Sequence, residues 1–178
     1  QPRSRGLGDV YKRQGLAHQR LARLAAEDGM ELDVTDLPRL PSGRIQRDAA
    51  AALWKDAGIT SPIDEIDVAE IYVPFSWFEP MWLENLGFVP EGEGWKLTES
   101  GETAIGGRLP VNPSGGVLSS NPIGASGLIR FAEAAIQVMG KAGAHQVAGA
   151  KKALGHAYGG GSQYYSMWVV GSDKPDKK

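Results

Sequence analysis

The chain has 178 residues, 42% of them hydrophobic and 22% charged, enough for one domain with a real core. A formal charge of −2 without clustered Lys and Arg argues against binding a nucleic-acid backbone, and no apolar run approaches the ~18 residues of a membrane-spanning helix. Cysteine is absent and the three histidines, His18, His145 and His156, are scattered, so no metal site is expected.

The first residues stand apart. Ser4–Gln14 read SRGLGDVYKRQ, the in-frame translation of a transposon adapter used in sequencing libraries. Gln1–Gln14 are therefore set aside from fold reasoning. They carry four of the 19 basic and one of the 21 acidic residues, which leaves a formal charge of −5 on the rest. The expectation is a domain over residues 15–171, truncated at or near Gly15, with a charged tail over 172–178. A cytoplasmic setting is expected.

Leu16–Ala26 carries leucines and alanines at helical spacing, and Glu31–Leu40 is extended in character. Asp48–Ala57 reads as an alanine-rich helix stopped by Gly58, and Pro62–Asp67 as a turn. Val68–Val73 is a buried strand that Pro74 ends. Trp77–Leu86 reads as a helix with apolar residues at Trp77, Met81, Trp82 and Leu86, ended by Gly87, and Pro90–Thr103 as a polar surface excursion. Val111–Gly127, VNPSGGVLSSNPIGASG, is a loop rich in glycine, proline and hydroxyls. The helix after it carries a stripe of Leu128, Phe131, Ala132, Ala135, Val138 and Met139. Ala153–Tyr158 and Tyr164–Val170 are strands joined by a turn at Gly159–Gly161. Helices alternating with short buried strands give an α/β class.

A loop of backbone donors opening into a helix suits a developing negative charge, because first-turn N–H groups lack intrahelical partners. Asn121 within it has two readings: an amide donor to a ligand oxygen, or an N-cap of the following helix with Pro122 at its first position. Tyr72 reads as core or as a phenol donor. Tyr164, Tyr165 and Trp168 read as strand packing, and His145 as an exposed residue. His156 precedes Tyr158 and the Gly159–Gly161 run, where backbone can approach a ligand closely.

Three segments in order resemble the thiolase superfamily: Ile66–Ser76, Leu109–Gly127 and Gly155–Val170. Leu109–Gly127 is similar to the family's Gly-His-Pro loop, with Asn121 in place of the histidine. The resemblance is strongest to the lipid-transfer and sterol-carrier branch. It implies a layered αβαβα fold made of two similar halves, of which this chain would be the C-terminal half only. It also implies an acyl-CoA acyltransferase, with coenzyme A as a substrate moiety and no other cofactor.

On that basis Asn121, His156, Tyr72 and Tyr158 are the candidate catalytic residues, with His156 taking over proton transfer from the cysteine of the closing motif. Ser120, Gly124, Gly159, Gly160 and Gly161 are the candidate substrate-binding residues. The resemblance further implies a homodimer through the absent N-terminal half. Two alternatives share the fold. One is retro-aldol cleavage of a 3-hydroxyacyl-CoA beside an OB-fold and zinc-ribbon partner protein. The other is a non-catalytic lipid-binding or scaffolding subunit.

Overall fold

A computed structural model describes residues 41–160 and 164–172. The segments Leu16–Ala26 and Glu31–Leu40, together with His18, Gly161 and most of the charged tail, lie outside the described residues.

Helix α1, Pro41–Ala57, starts seven residues before the expected Asp48, on a proline whose missing N–H costs nothing in a first turn. It stops at the expected place. Gly58 takes φ +69, its N–H reaches Lys55 O, and the Ile59 N–H reaches Trp54 O, which together close a Schellman motif. The expected turn at Pro62–Asp67 contains a single helical turn, α2, Pro62–Glu65. Strand β1, Val68–Ile71, is buried at every position.

Helix α3, Phe78–Asn85, buries Phe78, Trp82 and Leu83, with Leu86 just beyond. Trp77 is exposed and stacks on Phe78 at 4.0 Å between ring centroids. The excursion over Pro90–Thr103 holds a further helix, α4, Gly94–Glu99. Gly94 allows that helix to lie against α3, since a Cβ there would sit 2.2 Å from Pro80 O.

A one-turn helix, α5, Gly116–Ser119, interrupts the expected Val111–Gly127 loop. Helix α6, Ser126–Val138, follows, then a 3-10 turn at Gly143–His145. His145 is half-buried rather than exposed, with Nε2 3.0 Å from Glu133 Oε2. Strands β2, Lys152–Gly159, and β3, Tyr164–Gly171, complete the sheet.

The sheet order is β1-β2-β3. β1 runs parallel to β2, from Val68 opposite Ala153 to Ile71 opposite His156. β2 and β3 are antiparallel, from Lys152 opposite Gly171 to Gly159 opposite Tyr164. The other edge of β1 is filled by residues 110–112. Ala69 N–H reaches Pro110 O, Asn112 N–H reaches Ala69 O, and the Asn112 side chain continues the ladder by accepting the Ile71 N–H at 2.8 Å.

Alternation along the strands divides the core. Ala69, Ile71, Leu154 and Val169 join Trp54, Phe78 and Trp82 on the α1–α3 face. Val68, Ala153 and Val170 join Ala134 on the α6 face. Helix α6 sits close to β2 because two positions lack bulk. A Cβ on Gly127 would come 2.8 Å from Ala157 Cβ, and one on Gly155 would come 3.3 Å from Phe131 Cα. Trp168 packs edge-on against Phe131, whereas Tyr164 is exposed instead of packed.

The most deeply buried residues of α6 are Ser126, Arg130, Ala134 and Gln137; of the expected stripe, Phe131, Ala135 and Val138 are half-buried, whereas Leu128, Ala132 and Met139 are exposed. Glu70 of β1 faces α6 and pairs there with Arg130.

Candidate functional site

The site forms at the C-terminal ends of the parallel strands β1 and β2, where open α/β sheets bind ligands. Tyr72 follows β1 directly, Tyr158 lies near the end of β2, and residues 111–125 lie beside them.

Two hydroxyls converge on one amide oxygen. Ser126 Oγ donates to Asn121 Oδ1 at 2.7 Å, and Tyr72 Oη donates to the same atom at 3.2 Å. Asn121 is exposed, while Ser126 and Tyr72 are buried. The carbonyl end of the amide is thus occupied, and among the described residues nothing occupies its Nδ2. The N-cap reading does not hold: α6 begins at Ser126, its N-cap position is Ala125, and no side chain caps it.

The Tyr72 ring lies 5.4 Å from that of Tyr158. Tyr158 in turn neighbours Phe78 at 5.8 Å and Trp82 at 5.7 Å. Trp82 Nε1 donates to Tyr72 O at 2.8 Å, which fixes the backbone from which the phenol extends.

His156 is placed differently from expectation. It is fully buried, on the α1–α3 side of the sheet, and burial alone lowers its pKa to about 3. Such a ring stays neutral and does not shuttle protons near pH 7. Its Nδ1 accepts the Tyr72 N–H at 3.3 Å, which places the ring proton on Nε2. Nε2 lies 3.0 Å from Gln46 Nε2, and with the ring proton on Nε2 a half-turn of the Gln46 amide brings its buried Oε1, otherwise unpartnered among the described residues, to accept that proton. His156 thus ties the end of β1 to α1 beneath Tyr72.

Of the expected substrate-binding residues, Ser120 and Gly124 lie in the exposed stretch from Leu118 to Ala125. Gly159 closes β2, and Gly160 turns the chain away from it at φ +63. Gly161 is outside the described residues. Asn121, Tyr72 and Tyr158 are brought together; His156 supports them from below. Among the described residues no group of acidic or histidine side chains could hold a metal ion. No helix among them is long and apolar enough to cross a membrane.

Beneath the loop lies a cluster that the sequence did not disclose. Arg130 Nη1 pairs with Glu70 Oε2 at 2.5 Å, with both side chains almost fully buried. Ser114 joins them: its N–H reaches Glu70 Oε1 at 3.1 Å, its hydroxyl reaches Oε2 at 2.8 Å, and Arg130 Nη1 reaches Ser114 Oγ at 3.0 Å. Burial pushes the Glu70 carboxyl above its ordinary range, against the opposing pull of Arg130 and Ser114. A lone acid inside VAEIYV, and an arginine between Ile129 and Phe131, were the signals within the sequence.

Residues 32–172 match the family described as Thiolase C-terminal domain-like. Human sterol carrier protein 2 is 40% identical over 129 residues, covering 71% of this chain and 23% of that protein. An acetyl-CoA acetyltransferase of Methanothermobacter thermautotrophicus is 42% identical over 113 residues, covering 63% of this chain and 29% of its own. Among solved structures, an Ltp2-ChsH2(DUF35) aldolase superposes with a TM-score of 0.60 at 27% identity, over 72% of this chain and 32% of that one. The chain spans less than a third of the length of each of these relatives.

Proposed function

The chain belongs to the thiolase superfamily, in its lipid-transfer and sterol-carrier branch, and from that premise we propose that the protein acts on acyl-CoA thioesters as a C-acyltransferase, with Asn121 donating to the thioester oxygen. The observation that carries this reading is the occupied carbonyl of the exposed Asn121, which leaves the amide N–H groups as the end that can meet a ligand. Breaking or forming a carbon–carbon bond beside a thioester builds negative charge on its oxygen. One fixed donor at that place is worth roughly 3–4 kcal/mol.

An amide has no basic site near neutral pH, and His156 is buried and neutral. On this reading neither Asn121 nor His156 is the base, and other residues of the complete protein supply the nucleophile and base. Acyl-CoA is the substrate, and no further cofactor is needed for acyl transfer itself. The exposed apolar residues Leu128 and Met139 suit packing against the second half of a layered αβαβα fold, within a homodimer.

A second reading is retro-aldol cleavage of a 3-hydroxyacyl-CoA, favoured by the Tyr72–Tyr158 pair and by the likeness to an aldolase. There a base takes the 3-hydroxyl proton, the C2–C3 bond breaks, and the electron pair moves onto the thioester oxygen that Asn121 faces. This reading brings with it the OB-fold and zinc-ribbon partner. The complete protein, assayed with 3-ketoacyl-CoA plus CoA and separately with 3-hydroxyacyl-CoA, separates the two. Turnover of the first pair supports acyl transfer and of the second supports the lyase. Turnover of neither overturns both and leaves a lipid-binding or scaffolding subunit.

A further inference from the structure

Both ends of the loop that presents Asn121 are fastened to one face of one helix. Ser126 and Arg130 are one turn apart on α6, so their side chains stack along its buried face. Arg130 holds Ser114, with Glu70, at the start of the loop, and Ser126 holds Asn121 near its end. Between these anchors Ile123 sits at φ +31, in the left-handed region that a β-branched residue avoids. Such a conformation persists only when its surroundings over-determine it.

We propose that Ser126 is a positioning residue: its hydroxyl fixes which end of the Asn121 amide faces the substrate. An asparagine side chain has a donor end and an acceptor end of nearly equal shape, and a half-turn about its last bond exchanges them. With the nitrogen outward, the thioester oxygen meets N–H groups. With the oxygen outward, it meets a second negative dipole. Ser126 is 1% exposed, and among the described residues its hydroxyl proton has Asn121 Oδ1 as its acceptor. Reversing the amide would strand that buried proton, which is what holds the nitrogen outward. The Tyr72 hydroxyl biases the amide in the same sense over a longer distance. A histidine at this position would present ring nitrogens instead, so the need for Ser126 to choose an end arises from the asparagine itself.

This inference rests on the proposed oxyanion role of Asn121, and a double-mutant cycle tests the two separately. The variants are Ser126→Ala, Ser126→Thr, Asn121→Ala and the double variant Ser126→Ala/Asn121→Ala. They are made in the complete protein and assayed with whichever acyl-CoA it turns over. The expected result is a kcat about tenfold lower for Ser126→Ala with KM within about twofold, recovery to within about threefold for Ser126→Thr, and less than about a twofold further loss when Ser126→Ala is added to Asn121→Ala. A full tenfold loss in the Asn121→Ala background, or an equal loss in Ser126→Thr and Ser126→Ala, overturns the positioning role. An unchanged kcat in Asn121→Ala overturns the oxyanion reading, and the inference with it. Should Ser126→Ala fail to fold, Ser126→Cys gives the same comparison, since a thiol fills the site but is a weak donor.

Discussion

Tyr72 and Asn121 lie 49 positions apart in the sequence and meet through a single hydrogen bond of 3.2 Å, from the phenol to the amide oxygen. The bond joins the end of a buried strand to the tip of an exposed loop, so the Asn121 amide is referenced to the sheet rather than to the loop alone. Tyr72→Phe keeps the ring and removes the bond. It is expected to lower kcat about three- to tenfold, as for one hydrogen bond of ordinary worth. Asn121→Ala removes the donor itself and is expected to lower kcat at least tenfold, or roughly 3 kcal/mol at the upper end. Because Asn121 caps no helix but accepts from the buried Ser126 hydroxyl, its loss should lower unfolding stability by about 1–2 kcal/mol, the cost of one stranded donor. Steady-state kinetics with urea unfolding on the same samples checks both. A stability loss without a kinetic one would remove Asn121 from the chemistry.

His156 makes stability depend on pH. Its folded pKa, about 3, lies below the ordinary value of 6.5, so the unfolded chain binds the proton more readily. The contribution is fully present above pH 6.5 and is lost as pH falls from there toward 3, at about 1.4 kcal/mol per unit. Between about pH 7 and pH 5 the loss is about 2 kcal/mol. Glu70 works in the opposite sense, since its raised pKa makes its contribution decline as pH rises through its range. Urea unfolding of the parent and of His156→Gln at both pH values cancels the Glu70 contribution in the difference. A pH slope as steep in His156→Gln as in the parent would disprove the assignment.

The Glu70–Arg130 pair is buried on both sides, and removing one partner leaves a charge without compensation. Arg130→Met should cost about 3–5 kcal/mol, whereas Glu70→Leu/Arg130→Met should recover most of it, because replacing both charges by apolar groups is often neutral. Ser114 loses its anchor in the double variant. Its stability should therefore recover further than its kcat. Thermal unfolding beside turnover shows whether the pair serves the fold, the loop, or both.

The approach of α6 to the sheet can be tested at one atom. Gly127→Ala places a methyl group 2.8 Å from Ala157 Cβ and should destabilise by about 1–3 kcal/mol. Ala157→Gly removes the opposing methyl, so the double variant Gly127→Ala/Ala157→Gly should stand above Gly127→Ala alone. Denaturant midpoints of the four proteins decide this, and strict additivity would mean that the two positions do not touch.

Local rules made parts of this molecule legible in advance. Gly58 announced the end of α1, Val68 the start of β1, and the glycines from Gly159 the break before β3, because each depends on a few neighbouring residues. The α6 helix was legible from its spacing, but its orientation was not. The apolar stripe suggested a buried face through Leu128 and Met139, whereas the helix turns Ser126 and Arg130 inward to meet Glu70, 60 positions from Arg130. Asn121 followed by Pro122 fits a helix start by pattern. The structure gives that asparagine to Tyr72 and Ser126 and starts the helix later. His156 read as an available base because a glycine run follows it closely and an ordinary imidazole titrates near pH 6.5. Its burial comes from Trp82 and Tyr165, which pack on it from other elements.

The parallel pairing of β1 with β2 also sets an order of events. The β2–β3 hairpin closes locally, but β1 reaches β2 only after the intervening helices are accommodated, with Tyr72 and His156 84 positions apart. Pairings of such long range form slowly, because loop-closure entropy is lost before the contact is gained. Tyr72, Asn121 and Tyr158 share one place only once that closure is made. On dilution from denaturant, hairpin signals should therefore precede the return of function, and the rate at which β1 docks sets the earliest moment at which a working site exists.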